Sequence, residues 1–126
     1  MAQTFTALTL SAATSGVPIK IAATATPGTT IHTATSADSP DGCDEVYLWA
    51  GSTSTSAINA TLHIVGPTVN DSHTINFRVP AAYNGPIAIL AGHRVLDGIV
   101  ITATAATAER INIWGNVNRI SQQTSS

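Results

Sequence analysis

Residues 57–65 read AINATLHIV. Ile58, Ala60, Leu62 and Ile64 alternate with Asn59, Thr61, His63 and Val65. Alternation at period two sends one set of side chains to each face of a strand, whereas a helix would repeat at 3.6. Working outward, the same period recurs at His73–Val79, with Ile75, Phe77 and Val79 on one face. It returns at Ile99–Ala105 through Ile99, Ile101, Ala103 and Ala105. Arg110–Val117 puts Ile111, Ile113, Gly115 and Val117 inward and Asn112, Trp114 and Asn116 outward.

The earlier runs are softer. Phe5–Leu10 carries Leu8 and Leu10 on one face, Val17–Ala25 carries Val17, Ile19 and Ile21, and Thr29–Thr35 centres on Ile31. In Glu45–Ala50 both faces carry bulk, which fits a strand covered on both sides or one at an interface. Residues 102–109, TATAATAE, read as a strand to about Ala105 and then a turn. Short runs separated by Gly, Pro, Asn and Asp are the spacing of a sandwich or barrel. The expectation is an all-β chain: a single antiparallel β-sandwich of eight or nine strands, with a jelly roll among the topologies it allows. Residues 1–120 form the domain, and 121–126 (SQQTSS) a polar C-terminal tail that frays or serves as an arm.

Composition agrees. Among 126 residues there are 19 Thr, 20 Ala, 13 Ile and 11 Ser, and Thr, Ile and Val suit strands. Charged residues are only 10%, against about 25% in ordinary domains. Net charge is −2 and the five Lys and Arg are scattered, so no basic patch predicts nucleic-acid binding. The one cysteine, Cys43, can make no intrachain disulfide, and no apolar run approaches the roughly 18 residues of a membrane helix. No basic segment leads into an apolar run at the start, so no signal peptide is expected.

Chemistry-bearing motifs are sparse. His32, His63, His73 and His93 form no HxH or HExxH pattern, and no metal site or cofactor is expected. The acidic run Asp38, Asp41, Asp44, Glu45 lacks calcium-loop spacing and reads as a polar turn feeding a strand. Nucleophile elbows and phosphate-cradling loops are missing, so no catalytic residue is assigned and no enzyme is expected. The aromatics are the exception. With Val46, Leu48, Ile111 and Ile113 facing the core, Tyr47, Trp49 and Trp114 face away from it. Such a group is a subunit interface, a sugar platform, or a second buried face of the same domain.

Residues 28–66 and 85–120 resemble a family of small virion proteins of tailed bacteriophages. The shared features are Ile31-His32-Thr33-Ala34, the strand Glu45-Val46-Tyr47-Leu48-Trp49, and the ending Asn112-x-x-Gly115-x-Val117-Asn118-Arg119-Ile120. The likeness covers about 75 of the 126 residues. It implies a β-sandwich structural protein of the particle, assembled in the host cytoplasm and resident in the virion. Such proteins often act as capsid decoration, or cement, commonly as trimers; others are neck or tail accessory proteins. The implied partners are the major capsid protein or other virion proteins and further copies of the chain, with neither nucleic acid nor membrane. Tyr47, Trp49, Trp114 and Arg119 are the expected assembly residues. The rival expectation is a carbohydrate-binding host-attachment module using the same aromatic face.

Overall fold

The computed structural model describes residues 2–34, 42–65, 73–96 and 98–123. They form nine strands and one short turn of 3₁₀ helix: β1 Ala2–Thr9, β2 Ile19–Lys20, β3 Thr29–Thr33, β4 Gly42–Ser52, β5 Ile58–Val65, β6 Thr74–Val79, the turn Ala82–Asn84, β7 Ile87–Val95, β8 Val100–Ala105 and β9 Ile111–Gln123. The first sheet has the order β1-β9-β4-β7, with β2 also on β9; the second has the order β3-β8-β5-β6. Every ladder is antiparallel.

The pairing is nested. β5 and β6 form the central hairpin, and outside it β4 pairs β7, β3 pairs β8, and β1 and β2 pair β9. This long two-stranded ribbon is then rolled, so that β4 also meets β9 and β5 also meets β8. A ribbon rolled this way into two packed sheets is a jelly roll. The expected all-β sandwich is therefore the fold.

Alternation explains the core. Val46, Leu48 and Ala50 of β4 and Ile111, Ile113 and Val117 of β9 turn inward from the first sheet. Ile58, Ala60 and Leu62 of β5 and Ile101, Ala103 and Ala105 of β8 meet them from the second. Fully burying one such branched side chain is worth roughly 1.5–3 kcal/mol.

Three differences from the periodicity have local causes. β7, Ile87–Val95, has no alternation to find: Ile87 to Ala91 is apolar throughout, and the ladder to β4 shifts register at Val46/Tyr47 and again at Leu48/Trp49. A bulge turns two successive residues against one partner and so defeats a period-two search. Val17–Ala25 yields only the two residues of β2. There the amides of Ala22 and Ala23 both donate to the Thr29 hydroxyl at 3.1 Å, taking the place of a ladder. Finally, β9 runs on to Gln123, and Ser121–Gln123 pair with Ala2–Thr4, so half of the polar tail belongs to the sheet. β8 does end at Ala105, before a turn.

Candidate functional site

Trp49 of β4 and Trp114 of β9 are direct cross-strand partners. Both lie on the outer face of the first sheet, opposite in phase to buried Leu48 and Ile113. Tyr47 lies two residues back along the same face, opposite Asn116. All three are half-buried, and none belongs to the core cluster. The partners on β7 are small, Ala88 beside Trp49 and Ala91 beside Tyr47. Glycines let the rings lie close to the sheet. A Cβ at Gly51 would meet the Trp114 ring at 3.0 Å, and one at Gly92 would meet the Tyr47 hydroxyl at 3.3 Å. The result is a low aromatic surface rimmed by Asn112, Asn116 and the Glu45–Arg94 ion pair (3.0 Å). An exposed pair of that kind adds little stability.

Arg119, the fourth expected assembly residue, is not on this surface. It shares its phase with buried Val117, so it leans toward the inter-sheet side while its side chain stays 35% exposed. Its Nε donates to Asp44 Oδ1 at 2.8 Å and a terminal nitrogen donates to Oδ2 at 3.0 Å. The same Oδ2 lies 2.8 Å from His32 Nε2. The Ser11 amide donates to His32 Nδ1 at 3.0 Å, so Nδ1 carries the lone pair and Nε2–H donates to the carboxylate. Asp44 and His32 are 0% and 1% exposed. His32 stands on the second sheet, Asp44 and Arg119 on the first, so the network bolts the two layers together.

Burial pushes the Asp44 carboxyl upward, but hydrogen bonds from Arg119 and His32 and the adjacent charge outweigh it and hold it below the usual carboxylate range. The bond to Asp44 in turn raises Arg119, against the effect of burial. Serine, histidine and aspartate thus come together, but not wired for acyl transfer. The Ser11 hydroxyl accepts from the Thr33 amide at 2.7 Å, and both ring nitrogens of His32 are already engaged. A nucleophile would need its hydroxyl on a free histidine nitrogen.

Of the acidic run, Asp44 is this buried anchor and Glu45 the surface partner of Arg94, while Asp38 and Asp41 lie outside the described residues. His63 of β5 and exposed His73, the residue before β6, are neighbours, with the Ile64 amide bonded to the His73 carbonyl. Among the described residues no three metal-ligating side chains gather. No helix there is long and apolar enough to cross a membrane.

No family model, curated protein or solved structure matches the chain. Its surfaces are therefore judged by their own chemistry. The first sheet presents three flat aromatics. The outer face of the second presents amides, hydroxyls and one guanidinium, from Asn59, Thr61, Asn76, Arg78 and Thr104.

Proposed function

We propose that the chain is a structural protein of a bacteriophage virion, a head decoration protein that holds neighbouring subunits by its aromatic sheet face. The observation that carries this is the Trp49–Trp114 pair, in register on the outer face of the first sheet, with Tyr47 beside it and the core elsewhere. An aromatic side chain buries about 150–250 Å² when covered, at roughly 25 cal/mol per Å² before association costs. The small charge and the many Thr, Ser and Asn residues keep the desolvation cost of assembly low. Repetition over a lattice multiplies weak contacts into firm holding. The family resemblance supplies the particle, the capsid partner and the trimer; the jelly roll is compatible with them but common to many functions.

The test mixes the protein with capsids stripped of accessory proteins, alongside a measurement of its mass in solution. A trimer that saturates sites over the whole shell is the expected result. The double variant Trp49→Ser, Trp114→Ser should keep its β-sheet circular dichroism and bind at least ~100-fold more weakly, since interface anchors cost about 2 kcal/mol or more each. Unchanged binding by that variant would sink the proposal. Binding at a single vertex would move the protein to the neck or tail. Quenching of tryptophan fluorescence by free glycans would make the same face a sugar platform instead.

A further inference from the structure

The outer face of the second sheet holds a groove of about 690 Å³, bordered by Asn59, Thr61, Asn76, Arg78 and Thr104. A second groove of about 340 Å³ shares Arg78 in its lining and has Tyr83 at its border. Tyr83 is 81% exposed, on the 3₁₀ turn between β6 and β7. Each volume falls within the usual range for ligand sites, about 300–1,000 Å³. We infer that these two hollows on either side of Arg78 bind a carboxylate-bearing oligosaccharide, with Arg78 on the carboxylate and Tyr83 against a sugar ring.

The hydrogen bonds already present decide which chemistry is left over. The Thr61 hydroxyl donates to Asn76 Oδ1 at 2.9 Å, so the Asn76 carbonyl is engaged and its two N–H donors remain for a ligand. The Thr104 hydroxyl is braced by His63 Nε2 at 3.3 Å, from a histidine only 4% exposed. His63 Nδ1 is itself buried without a partner, so the polar set of this face is incomplete within the described residues. Among the described residues no carboxylate lines either groove. Arg94 and Arg119 are both paired to acids, whereas Arg78 makes no ion pair among the described residues. Arg78 and the Asn76 amide therefore face the groove as donors with no anion beside them among the described residues, and an anionic acceptor on the partner fits them.

A guanidinium binds a carboxylate through two parallel hydrogen bonds. Amide and hydroxyl donors suit the hydroxyls of a sugar, and a phenol ring covers the apolar face of a pyranose. A single cation in a neutral lining fits sparse carboxylates, as in sialylated or uronic-acid chains. It does not fit a dense polyanion, which needs several Lys or Arg to replace its counterions.

The test is a titration of isotope-labelled full-length protein, followed by NMR, with sialyllactose and with a galacturonate trisaccharide. Lactose and a short single-stranded oligonucleotide serve as controls. Saturable shifts of the Asn59 and Asn76 side-chain amides and of Tyr83 are expected with at least one acidic sugar. Lactose should bind roughly tenfold or more weakly, and Arg78→Gln should lose about the same factor, as expected for a charge-assisted pair at an exposed guanidinium. Tyr83→Ala should weaken binding severalfold, and Trp49→Ser, Trp114→Ser should leave it intact. Both variants in the groove replace exposed side chains, so folding is not at stake. The inference is overturned if neither acidic sugar gives saturable shifts at millimolar concentration, if Arg78→Gln binds equally well, or if lactose or the oligonucleotide matches the acidic sugars.

Discussion

Two histidines are buried in this sandwich, and they are treated in opposite ways. His32 is 1% exposed, and both its nitrogens have partners, the Ser11 amide and the Asp44 carboxylate. His63 is 4% exposed and has one partner among the described residues, the Thr104 hydroxyl, while Nδ1 has none there. Thr102, directly opposite His63 across the β5–β8 ladder, has an orphaned hydroxyl as well. A buried polar group with its bonds made is close to neutral in energy, and one without them costs about 1–3 kcal/mol. One end of the molecule thus carries a completed polar network that ties β3, β4 and β9 together. The outer face of the second sheet carries an incomplete one. Polarity holds the fold together at the first place and only burdens it at the second.

Breaking the completed network has the largest expected effect. Asp44→Ala takes the carboxylate from Arg119, whose side chain is 35% exposed, and removes the partner of buried His32 Nε2, and should cost about 1.5–3 kcal/mol in urea unfolding. The triple variant His32→Leu, Asp44→Leu, Arg119→Met removes every charge of the network at once and should recover much of that loss. A triple variant no more stable than Asp44→Ala would mean that the network's shape, rather than its unpaired charges, carries the cost.

The same network sets the acid limb of stability. Asp44 is held below its ordinary value in the folded chain, so the unfolded chain takes up its proton first as pH falls. Its stabilisation is fully present above the unfolded value, about 3.9, and is lost as pH falls through the lower folded value. Urea midpoints should therefore drop below about pH 4 in the natural chain and drop less in Asp44→Asn. Parallel acid limbs in the two proteins would assign the effect to other carboxylates.

Much of this was legible in the residues, and the remainder was hidden for identifiable reasons. The alternation of Ile58–Ile64 and of Ile111–Val117 gives the strands and the inner face directly. That Trp49 meets Trp114 is a matter of register between strands far apart in the chain, which periodicity does not contain. The Asp44 network did leave a trace: Asp44 is in phase with Val46 and Leu48, and Arg119 with Val117, so two opposite charges lie on core-facing positions. Read by phase rather than as an acidic turn, Asp44 announces a buried partner. β7 left no trace, because its two register shifts erase the period. The burial of His63 was equally hidden, since its outward phase predicts exposure.

The smallest effect is the most discriminating, because it predicts opposite signs for two threonines of one strand. Thr102 and Thr104 lie on the same face of β8. The Thr102 hydroxyl is buried without a partner, so Thr102→Val keeps the shape and the β-branching while deleting an unsatisfied group. It should stabilise the fold by about 1 kcal/mol, a rise in Tm of roughly 3–6 °C for a chain of this size. Thr104→Val makes the same change of atoms but removes the one partner of His63 Nε2, leaving both nitrogens of a buried ring unpaired. It should lose about 1 kcal/mol instead. Thermal unfolding of the two variants beside the natural chain decides it. If both lose stability, the Thr102 hydroxyl is bonded in solution and the second sheet's outer face is as complete as the Asp44 network. If they move apart, the contrast between the two buried histidines is energetic as well as geometric.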